Sequence, residues 1–371
     1  MPPRLAFLVD TPGKRAHGNS VSRLALGLAE TRLADTAIVC YSDDPAPEWL
    51  PPEVRVDRLG VTRISRALPH LVRYLRREQP DVLITRQVHA NFVALAAGWL
   101  SRVPPRWRGK LIVVQDHPIA LSHGSNWRDN KWVAKVVYRF ADALISPSPT
   151  VRADIIQWCH LDPASVAVVA NPIPKFGGLT AESPHPWLAD EGVPVFVHTS
   201  NLTPWKRLDL LIDAFADVRK HHDARLLIIG EGTGRSAATA RIEQLGLADR
   251  AQTVGWVDDP LQFAARAWAF VLSSDEEGYG QVLTEAMSAR CPVISTDAQG
   301  GGPRFVTDNG TYGLLTPRGD RQQLAAAMRQ LLAPEIRRQY AELGLERASQ
   351  LSPSASASTL MNFIAEQFGM S

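Results

Sequence analysis

The chain alternates short, continuous apolar runs with longer segments in which apolar residues recur every three or four positions. The runs are rich in β-branched residues and end in Gly, Asp, Ser or Pro, a pattern typical of strands buried in a parallel sheet. The intervening segments, such as "LDLLIDAFADVRKHH", have the period of an amphipathic helix. The predicted strands are "RLAFLVD", "TAIVCYS", "DVLITRQ", "KLIVVQD", "ADALISPS" and "SVAVVANP" in the first half, and "VPVFVHTS", "ARLLIIGEG", "AQTVGWV", "WAFVLSS", "CPVISTD" and "YGLLTP" in the second.

A stretch rich in Pro and Gly, residues 171–186, interrupts this alternation and reads as a linker. We therefore predict two doubly wound α/β domains with parallel sheets, residues 1–173 and 187–354. Ligands of such sheets bind beyond the carboxyl ends of the strands, so we expect a ligand in a cleft between the two domains. After a Ser-rich connector, a final amphipathic helix at about 355–371 is expected to pack back on the first domain.

The composition indicates a soluble globular protein. A chain of 371 residues with 45% hydrophobic and 21% charged residues is too long for one ordinary core. Its three cysteines are odd in number and far apart, which argues for a reducing compartment. The first apolar run is too short for a signal peptide, and the longest run is about half of a bilayer span. We therefore expect the protein in the cytoplasm.

The net charge of +2 conceals an uneven distribution. Residues 1–180 contain 23 Lys and Arg against 15 Asp and Glu, whereas residues 181–371 contain 17 against 23. A basic half indicates contact with an anionic partner, although ordinary surface variation gives the same pattern. The basic residues form no recognisable nucleic-acid-binding motif, so nucleic acid is not an expected partner.

Two glutamates, Glu277 and Glu285, lie on either side of a glycine turn and the start of a predicted helix in "SSDEEGYGQVLTEAM". A helix N-terminus favours an anion, and Gly278 and Gly280 allow the backbone to come close to it. Carboxylates accept hydrogen bonds from sugar hydroxyls. We hypothesise that one carboxylate binds a ribose and the other a hexose, on either side of a diphosphate. Taken alone, the spacing also fits an ordinary acidic loop.

The segment that continues from these glutamates, "EGYGQVLTEAMSARCPVISTDAQGGGPRFVTDNGTYGLLTPRGD", resembles the retaining glycosyltransferases of family 4. Their pattern runs E-G-F-G-x-x-x-x-E-A-M, then P-V-V-A-T-D, G-G-P and G-x-L-V, and the resemblance covers most of the second half. It implies the GT-B fold, in which two Rossmann-like domains face a central cleft and the second binds the donor. It also implies transfer of a hexose from a UDP- or GDP-sugar with retention of anomeric configuration.

Further segments of the second half resemble donor-binding segments of the family. "HTSNLTPWKRLDLLIDAF" is similar to G-R-L-x-x-x-K-G-x-D-x-L-I, so Lys206 is expected to stabilise the departing diphosphate. Asn201 stands where the family has arginine, and Arg207 stands where it has glycine. The turn that begins at Gly230 resembles a turn beside the donor, although a lone G-x-G-x-G also occurs in dinucleotide sites. Val257 lies in a segment similar to the turn that meets the base.

The first half resembles the family less, as expected if it binds a variable acceptor. Gly18 is nearest to the family's glycine-bearing loop, and His117 stands where a histidine often faces the transferred sugar. A lone histidine is otherwise more often a packed or capping residue. The resemblance assigns catalysis to His117, Lys206 and Glu277. It assigns donor binding to Gly18, Asn201, Lys206, Arg207, Gly230, Val257, Glu277, Gly280, Gln281, Val282 and Glu285.

No metal and no cofactor are expected, because the chain has no D-x-D and no convincing His, Cys and Asp constellation. Charge on the diphosphate would then be met by Lys206, Arg207 and the helix N-terminus at 280–282. The expected acceptor is a glycan or a lipid-linked glycan in cell-surface polysaccharide synthesis. Alternatives are a degenerate, non-catalytic sugar-nucleotide-binding partner, a natural-product tailoring glycosyltransferase, and a nucleotide-sugar epimerase or a phosphorylase on the same architecture.

Basic and aromatic residues are mixed in the first half, which predicts peripheral contact with an anionic membrane surface. A solvated basic face with buried tryptophans explains the mixture equally well. The residues concerned are Arg66, Arg73, Arg76 and Arg77 on a predicted helix, and Trp107, Trp127 and Trp132 among cations.

Overall fold

The structure, a computed structural model, describes residues 2–12, 16–103, 107–121, 134–174, 176–190 and 192–370. The chain forms two compact units, Met1–Ile173 with Leu351–Ser371, and Pro174–Gln350. Part of the predicted linker, 174–186, belongs to the second unit. The Thr180 N–H donates to the side-chain oxygen of Gln262 at 3.0 Å, which ties this segment to that unit.

All paired strands run parallel, in two separate sheets. The first sheet has the order β3-β2-β1-β4-β5-β6-β7, and the second has the order β10-β9-β8-β11-β12-β13. The strands are β1 (Arg4–Val9), β2 (Asp35–Cys40), β3 (Arg55–Arg58), β4 (Val82–Arg86), β5 (Lys110–Val114), β6 (Ala143–Ser146), β7 (Val166–Val168), β8 (Val195–Thr199), β9 (Arg225–Ile229), β10 (Ala251–Gly255), β11 (Ala269–Leu272), β12 (Val293–Thr296) and β13 (Leu314–Thr316).

Helices connect the strands, as doubly wound sheets require. They are α1 (Ala16–Thr31), α2 (Leu68–Glu78), α3 (Val88–Ser101), α4 (Pro149–Cys159), α5 (Leu208–Arg219), α6 (Arg235–Gln244), α7 (Pro260–Arg266), α8 (Gln281–Ser288), α9 (Gly302–Val306), α10 (Arg321–Gln330), α11 (Pro334–Gln350) and α12 (Pro353–Phe368). No helix in the described ranges is long and apolar enough to cross a membrane.

The last helix, α12, belongs to the first unit and packs on α1. The Ser-rich segment predicted as a connector is instead the first half of this helix. Ser352 caps it by accepting a hydrogen bond from the Ala355 N–H at 3.3 Å, and Ser356 is buried. A Cβ on Gly27 of α1 would lie 2.1 Å from the carbonyl oxygen of Pro353, so only glycine permits this approach.

One tryptophan does not lie where the membrane hypothesis places it. Trp107 is 1% exposed in the core of the first unit, and its indole N–H donates to the Pro80 carbonyl at 2.7 Å. Burial removes its large apolar surface from water, and the Pro80 carbonyl pairs its one hydrogen-bond donor. Trp127 and Trp132 lie outside the described residues.

Candidate functional site

Two loops of the second unit meet at the carboxyl edge of its sheet. The lysine loop, residues 200–207, follows β8, and the glutamate loop, residues 273–280, follows the neighbouring strand β11. The Asp275 N–H donates to the Trp205 carbonyl at 2.8 Å, and the Ser273 hydroxyl donates to the Lys206 carbonyl at 2.8 Å. The two loops are therefore joined by one backbone hydrogen bond and by one from a serine side chain.

The side chains of Lys206 and Glu277 form a direct ion pair between these loops. They are only 14% and 10% exposed, and the Ser274 hydroxyl donates to the same oxygen of Glu277 at 2.9 Å. Two charges so shielded from water are tolerated because each neutralises the other. The structure thus brings together two residues that are 71 positions apart and that the sequence assigns to catalysis.

Beyond Glu277, the glutamate loop turns directly into helix α8. Gly280 has a φ of 83°, in the left-handed region that favours glycine, and forms the N-cap. Gln281 and Val282 begin the helix, so their backbone N–H groups point toward its anion-attracting end. One turn later, Glu285 accepts a hydrogen bond from the Gln281 side chain at 3.2 Å. Glu285 therefore lies one turn into the helix whose N-terminus directly follows the glutamate loop.

A second backbone link holds the glutamate loop from its other side. The Glu277 N–H donates to the Gln299 carbonyl at 2.8 Å, and the Gly302 N–H donates to the Glu277 carbonyl at 3.1 Å. A Cβ on Gly302 would lie 2.5 Å from the backbone of Tyr279, which is buried. Gly302 therefore allows a close contact between this segment and the glutamate loop, and its N–H binds the Glu277 carbonyl.

The three-glycine turn after β9 packs against the lysine loop. Gly230 has a φ of 128°, and a Cβ there would lie 1.9 Å from the Ser200 carbonyl oxygen. A Cβ on Gly232 would lie 2.5 Å from the Leu202 carbonyl oxygen, and the Gly234 N–H donates to that oxygen at 2.6 Å. The Gly230 N–H is bonded to the Gly255 carbonyl at 2.8 Å. These glycines thus support the backbone that carries Lys206.

The other candidates of this unit lie around the same edge. Asn201 is exposed, and its carbonyl accepts a hydrogen bond from the Thr203 N–H at 2.7 Å. Val257 is half-buried in the loop after β10, next to Trp256, which is 69% exposed. The guanidinium of Arg207 is held by two carboxylates of the protein, described below, and these hydrogen bonds raise its pKa above the usual value.

Sequence reasoning missed His198, at the end of β8. Its side chain is fully buried, with Nδ1 2.8 Å from the Val271 carbonyl and Nε2 2.7 Å from the Ser200 hydroxyl. A carbonyl only accepts, so Nδ1 carries the proton and Nε2 accepts from Ser200. Burial lowers the pKa of His198 to about 4, so the ring is neutral at pH 7. The histidine that ends the apolar run "VPVFVHTS" was the available signal.

In the first unit, the candidates lie at the corresponding edge of its own sheet. Gly18 lies in the first turn of α1. His117 follows β5 and is exposed, and its carbonyl accepts a hydrogen bond from the Gln115 side chain at 2.8 Å. Beside it, the nearly buried Arg86 donates to Asp116 at 2.8 Å and to Asn171 at 2.8 Å. This cluster, which the sequence did not predict, joins the ends of β4 and β5 to the segment after β7.

Across the described ranges, no group of three or more His, Cys, Asp or Glu side chains is arranged to hold a metal ion.

Two family models together cover most of the chain. The model described as "Glycosyl transferases group 1" matches residues 180–344, which contain both loops. The model described as "Glycosyltransferase Family 4" matches residues 17–175.

Individual relatives and a solved structure agree with these models. The lipopolysaccharide core biosynthesis glycosyltransferase LpsE of Rhizobium meliloti is 26% identical over 362 residues, which cover 93% of this chain and 94% of that protein. The uncharacterized glycosyltransferase MJ1059 of Methanocaldococcus jannaschii is 31% identical over 324 residues, or 77% and 79% of the two chains. The crystal structure of Anabaena Alr3699/HepE in complex with UDP-glucose is similar in fold, with a TM-score of 0.79, 21% identity, and coverage of 98% of this chain and 100% of that one. The chain therefore belongs to the group 1 glycosyltransferases and has the GT-B fold that its sequence predicts.

Proposed function

We propose that the protein transfers a hexose from a UDP- or GDP-sugar to a glycan or lipid-linked acceptor, with retention of anomeric configuration and without a metal ion. The observation that carries this proposal is the Lys206–Glu277 ion pair at the N-terminus of α8. A cation, a carboxylate and a helix N-terminus within one edge of a sheet suit a sugar joined to a diphosphate.

Each part of the donor has a partner in this arrangement. Glu285 accepts hydrogen bonds from the ribose hydroxyls, and the backbone of Val257 contacts the base. Lys206 and the N–H groups of Gln281 and Val282 bind the diphosphate. Glu277 accepts hydrogen bonds from the hexose hydroxyls. The Anabaena relative, whose crystal structure contains UDP-glucose, supports a nucleotide sugar as the donor class.

The transfer itself needs charge stabilisation more than a protein nucleophile. The bond between the hexose C1 and the diphosphate oxygen breaks, and a bond from the acceptor oxygen to C1 forms on the same face. The acceptor proton passes to an oxygen of the leaving diphosphate. Lys206 and the N-terminus of α8 stabilise the negative charge that develops there, an effect worth about 3–4 kcal/mol for one donor in other enzymes. His117, from the first unit, contacts the transferred sugar, and Gly18 lies beside the donor.

The acceptor class is supported by the names of relatives. LpsE is described as a lipopolysaccharide core enzyme, and a Campylobacter jejuni relative is named for a diphospho-undecaprenol substrate. We propose a cell-surface polysaccharide acceptor that is built on or near a membrane.

The first unit has a surface that suits such a location. The α3 residues Trp99 and Leu100 and the following Val103 are 71%, 37% and 55% exposed. Arg76 lies beside them and donates to the carbonyls of Leu100 and Val103 at 3.0 and 3.4 Å. An exposed tryptophan edged by arginines is typical of contact with anionic lipid. We therefore propose that the membrane contact lies on this surface instead of at the buried Trp107. The surface consists of Trp99, Leu100, Val103 and Arg76.

Binding of UDP and GDP, followed by calorimetry without added metal, tests the donor site. We expect one of the two nucleotides to bind and Glu285→Ala to abolish that binding. Glu335→Ala is the matched control, because Glu335 is also an early-turn helix glutamate but lies on the exposed N-terminus of α11. Binding of neither nucleotide would contradict the proposal, whereas binding without any transfer of the sugar would favour the degenerate partner. A strict need for Mg²⁺ or Mn²⁺ would contradict metal independence.

A further inference from the structure

Arg207 has a backbone conformation that suits glycine, the residue that the related motif has at this position. Its φ is 50° and its ψ is 51°, in the left-handed region that is unfavourable for a residue with a Cβ. An arginine keeps such a strained backbone conformation only when the contacts of its side chain hold it there.

The guanidinium contacts one carboxylate on its own helix and one on the opposite loop. Its Nε and one terminal nitrogen each lie 3.0 Å from oxygens of Asp209, in the first turn of α5. The other terminal nitrogen lies 3.0 and 3.3 Å from the two oxygens of Asp275, in the glutamate loop. Arg207 is 33% exposed and Asp275 is 28% exposed, so the bridge between the loops is partly shielded from water.

In both loops, the residues of this bridge are close in sequence to the Lys206–Glu277 pair. Arg207 directly follows Lys206, and Asp275 precedes Glu277 by two residues. The backbone of Asp275 is also bonded to Trp205 on one side and to Gln299 on the other. A shift of Asp275 therefore moves Glu277 and the backbone of Lys206 together.

We propose that Arg207 and Asp275 form a clasp that positions Lys206 and Glu277 for the donor. They act as positioning residues, because their charges are satisfied by each other and by Asp209 instead of by substrate. The clasp rests on the proposed function, in which Lys206 and Glu277 bind the diphosphate and the hexose. In this chain, an arginine stands where the related motif has glycine, and its side chain holds the lysine loop in place.

Arg207→Gly tests the clasp without endangering the fold, since glycine adopts a φ of 50° freely. We expect an unchanged or higher Tm, and a kcat for release of nucleotide diphosphate from the donor that falls about 10-fold, because small misplacement of reacting groups is costly. The KM for the donor should change less than kcat. Asp275→Asn should have a similar effect, and the double variant should be no worse than either.

Asp209→Asn is the matched control, because it removes the other carboxylate of Arg207 and leaves the bridge to the glutamate loop. It should retain kcat within about 2-fold, as expected for an exposed ion pair. Equal losses in Asp209→Asn and Asp275→Asn would overturn the clasp and indicate a general need for charge around Arg207.

Hydrogen exchange gives a readout that does not depend on the donor. Arg207→Gly and Asp275→Asn should both speed exchange of the Asp275 and Glu277 amides, whereas Asp209→Asn should not. Unchanged exchange in the first two variants overturns the clasp, even if nucleotide binding supports the proposed function. Failure of the unaltered protein to bind nucleotide would contradict the function alone, and faster exchange would still support the clasp.

Discussion

At the scale of single residues, the most informative contact is between Lys206 and Glu277. Each neutralises the other in the free protein. Under the proposed function, a bound diphosphate would therefore compete with Glu277 for the lysine. The two roles are therefore coupled. In the proposed mechanism, the diphosphate of the donor would bind the same lysine that neutralises the glutamate proposed to bind the hexose.

Glu277→Gln separates these roles. The amide keeps the hydrogen-bonding shape but loses the charge, so release of nucleotide diphosphate from the donor should fall about 100-fold or more. Affinity for UDP or GDP alone should be retained or increased, because Lys206 loses its competing carboxylate. Parallel turnover and calorimetry measurements check both parts, with Glu335→Gln, whose carboxylate lies on the exposed N-terminus of α11, as the control that should retain turnover. Unchanged turnover in Glu277→Gln would remove Glu277 from the mechanism.

His198 predicts how the stability of the second unit depends on pH. Burial lowers its pKa to about 4, against about 6.5 in an unfolded chain. Between these values the unfolded chain binds the proton and the folded chain does not, so stability rises with pH across this window. Acidification from about pH 6.5 to 4 should therefore destabilise the protein.

His198→Gln tests this assignment, because an amide donates to Val271 and accepts from Ser200 without titrating. Urea unfolding at several pH values should show a shallower loss of stability below pH 6.5 in the variant. The charged groups that act on His198 are Lys206 and Glu277, so the comparison is made with both intact. Equal slopes in the two proteins would show that other groups cause the pH dependence.

At the scale of helices and strands, the hydrophobic pattern predicted every strand in the part of the chain that the structure describes, except β3. That strand, "RVDR", is short and charged and lies at the edge of the first sheet, where one side needs no apolar cover. The Ser-rich start of α12 was also missed. Serine usually favours caps and turns, but here the packing on Gly27 of α1 overrides local propensity.

Substitution of Gly27 measures how much this packing contributes. Gly27→Ala should destabilise the first unit by about 1–3 kcal/mol, because its Cβ would overlap the Pro353 carbonyl oxygen at 2.1 Å. Gly177→Ala is the control, since a Cβ there meets nothing within 4 Å. Thermal unfolding should show a lowered Tm for the first variant only. Equal Tm values would mean that α12 moves away from α1 at little cost.

The sequence was enough to predict the residue types of the candidate site, but not the contacts that connect them. The sequence predicted site roles for Lys206, Glu277 and Glu285 because their spacing within motifs is local, and the structure places Lys206 against Glu277. It did not identify the Arg207–Asp275 bridge, since this contact joins loops 68 residues apart and depends on how β8 and β11 pair. Nor did it identify His198, because a polar residue at the end of an apolar run marks the end of a strand but does not show that its side chain is buried.

At the scale of the whole molecule, the charge asymmetry follows the two units. The first unit, including α12, contains 22 Lys and Arg against 16 Asp and Glu, and the second contains 18 against 22. A basic unit that also exposes Trp99 should meet an anionic surface before the acidic unit does. Its attraction should weaken as salt screens the arginines.

Flotation with vesicles measures this attraction directly. The protein should float with vesicles that contain anionic phosphatidylglycerol at low salt, and should be released at high salt or with neutral phosphatidylcholine. Trp99→Gln should weaken flotation. Arg73→Gln and Arg77→Gln, which remove exposed cations from the helix α2 that also carries Arg76, should cost about 1 kcal/mol each. Trp256→Gln is the matched control, because its 69% exposure is close to the 71% of Trp99 but it lies in the second unit. Equal losses in the two tryptophan variants would show that any exposed indole suffices, and unaltered flotation of Trp99→Gln would exclude this surface as the membrane contact.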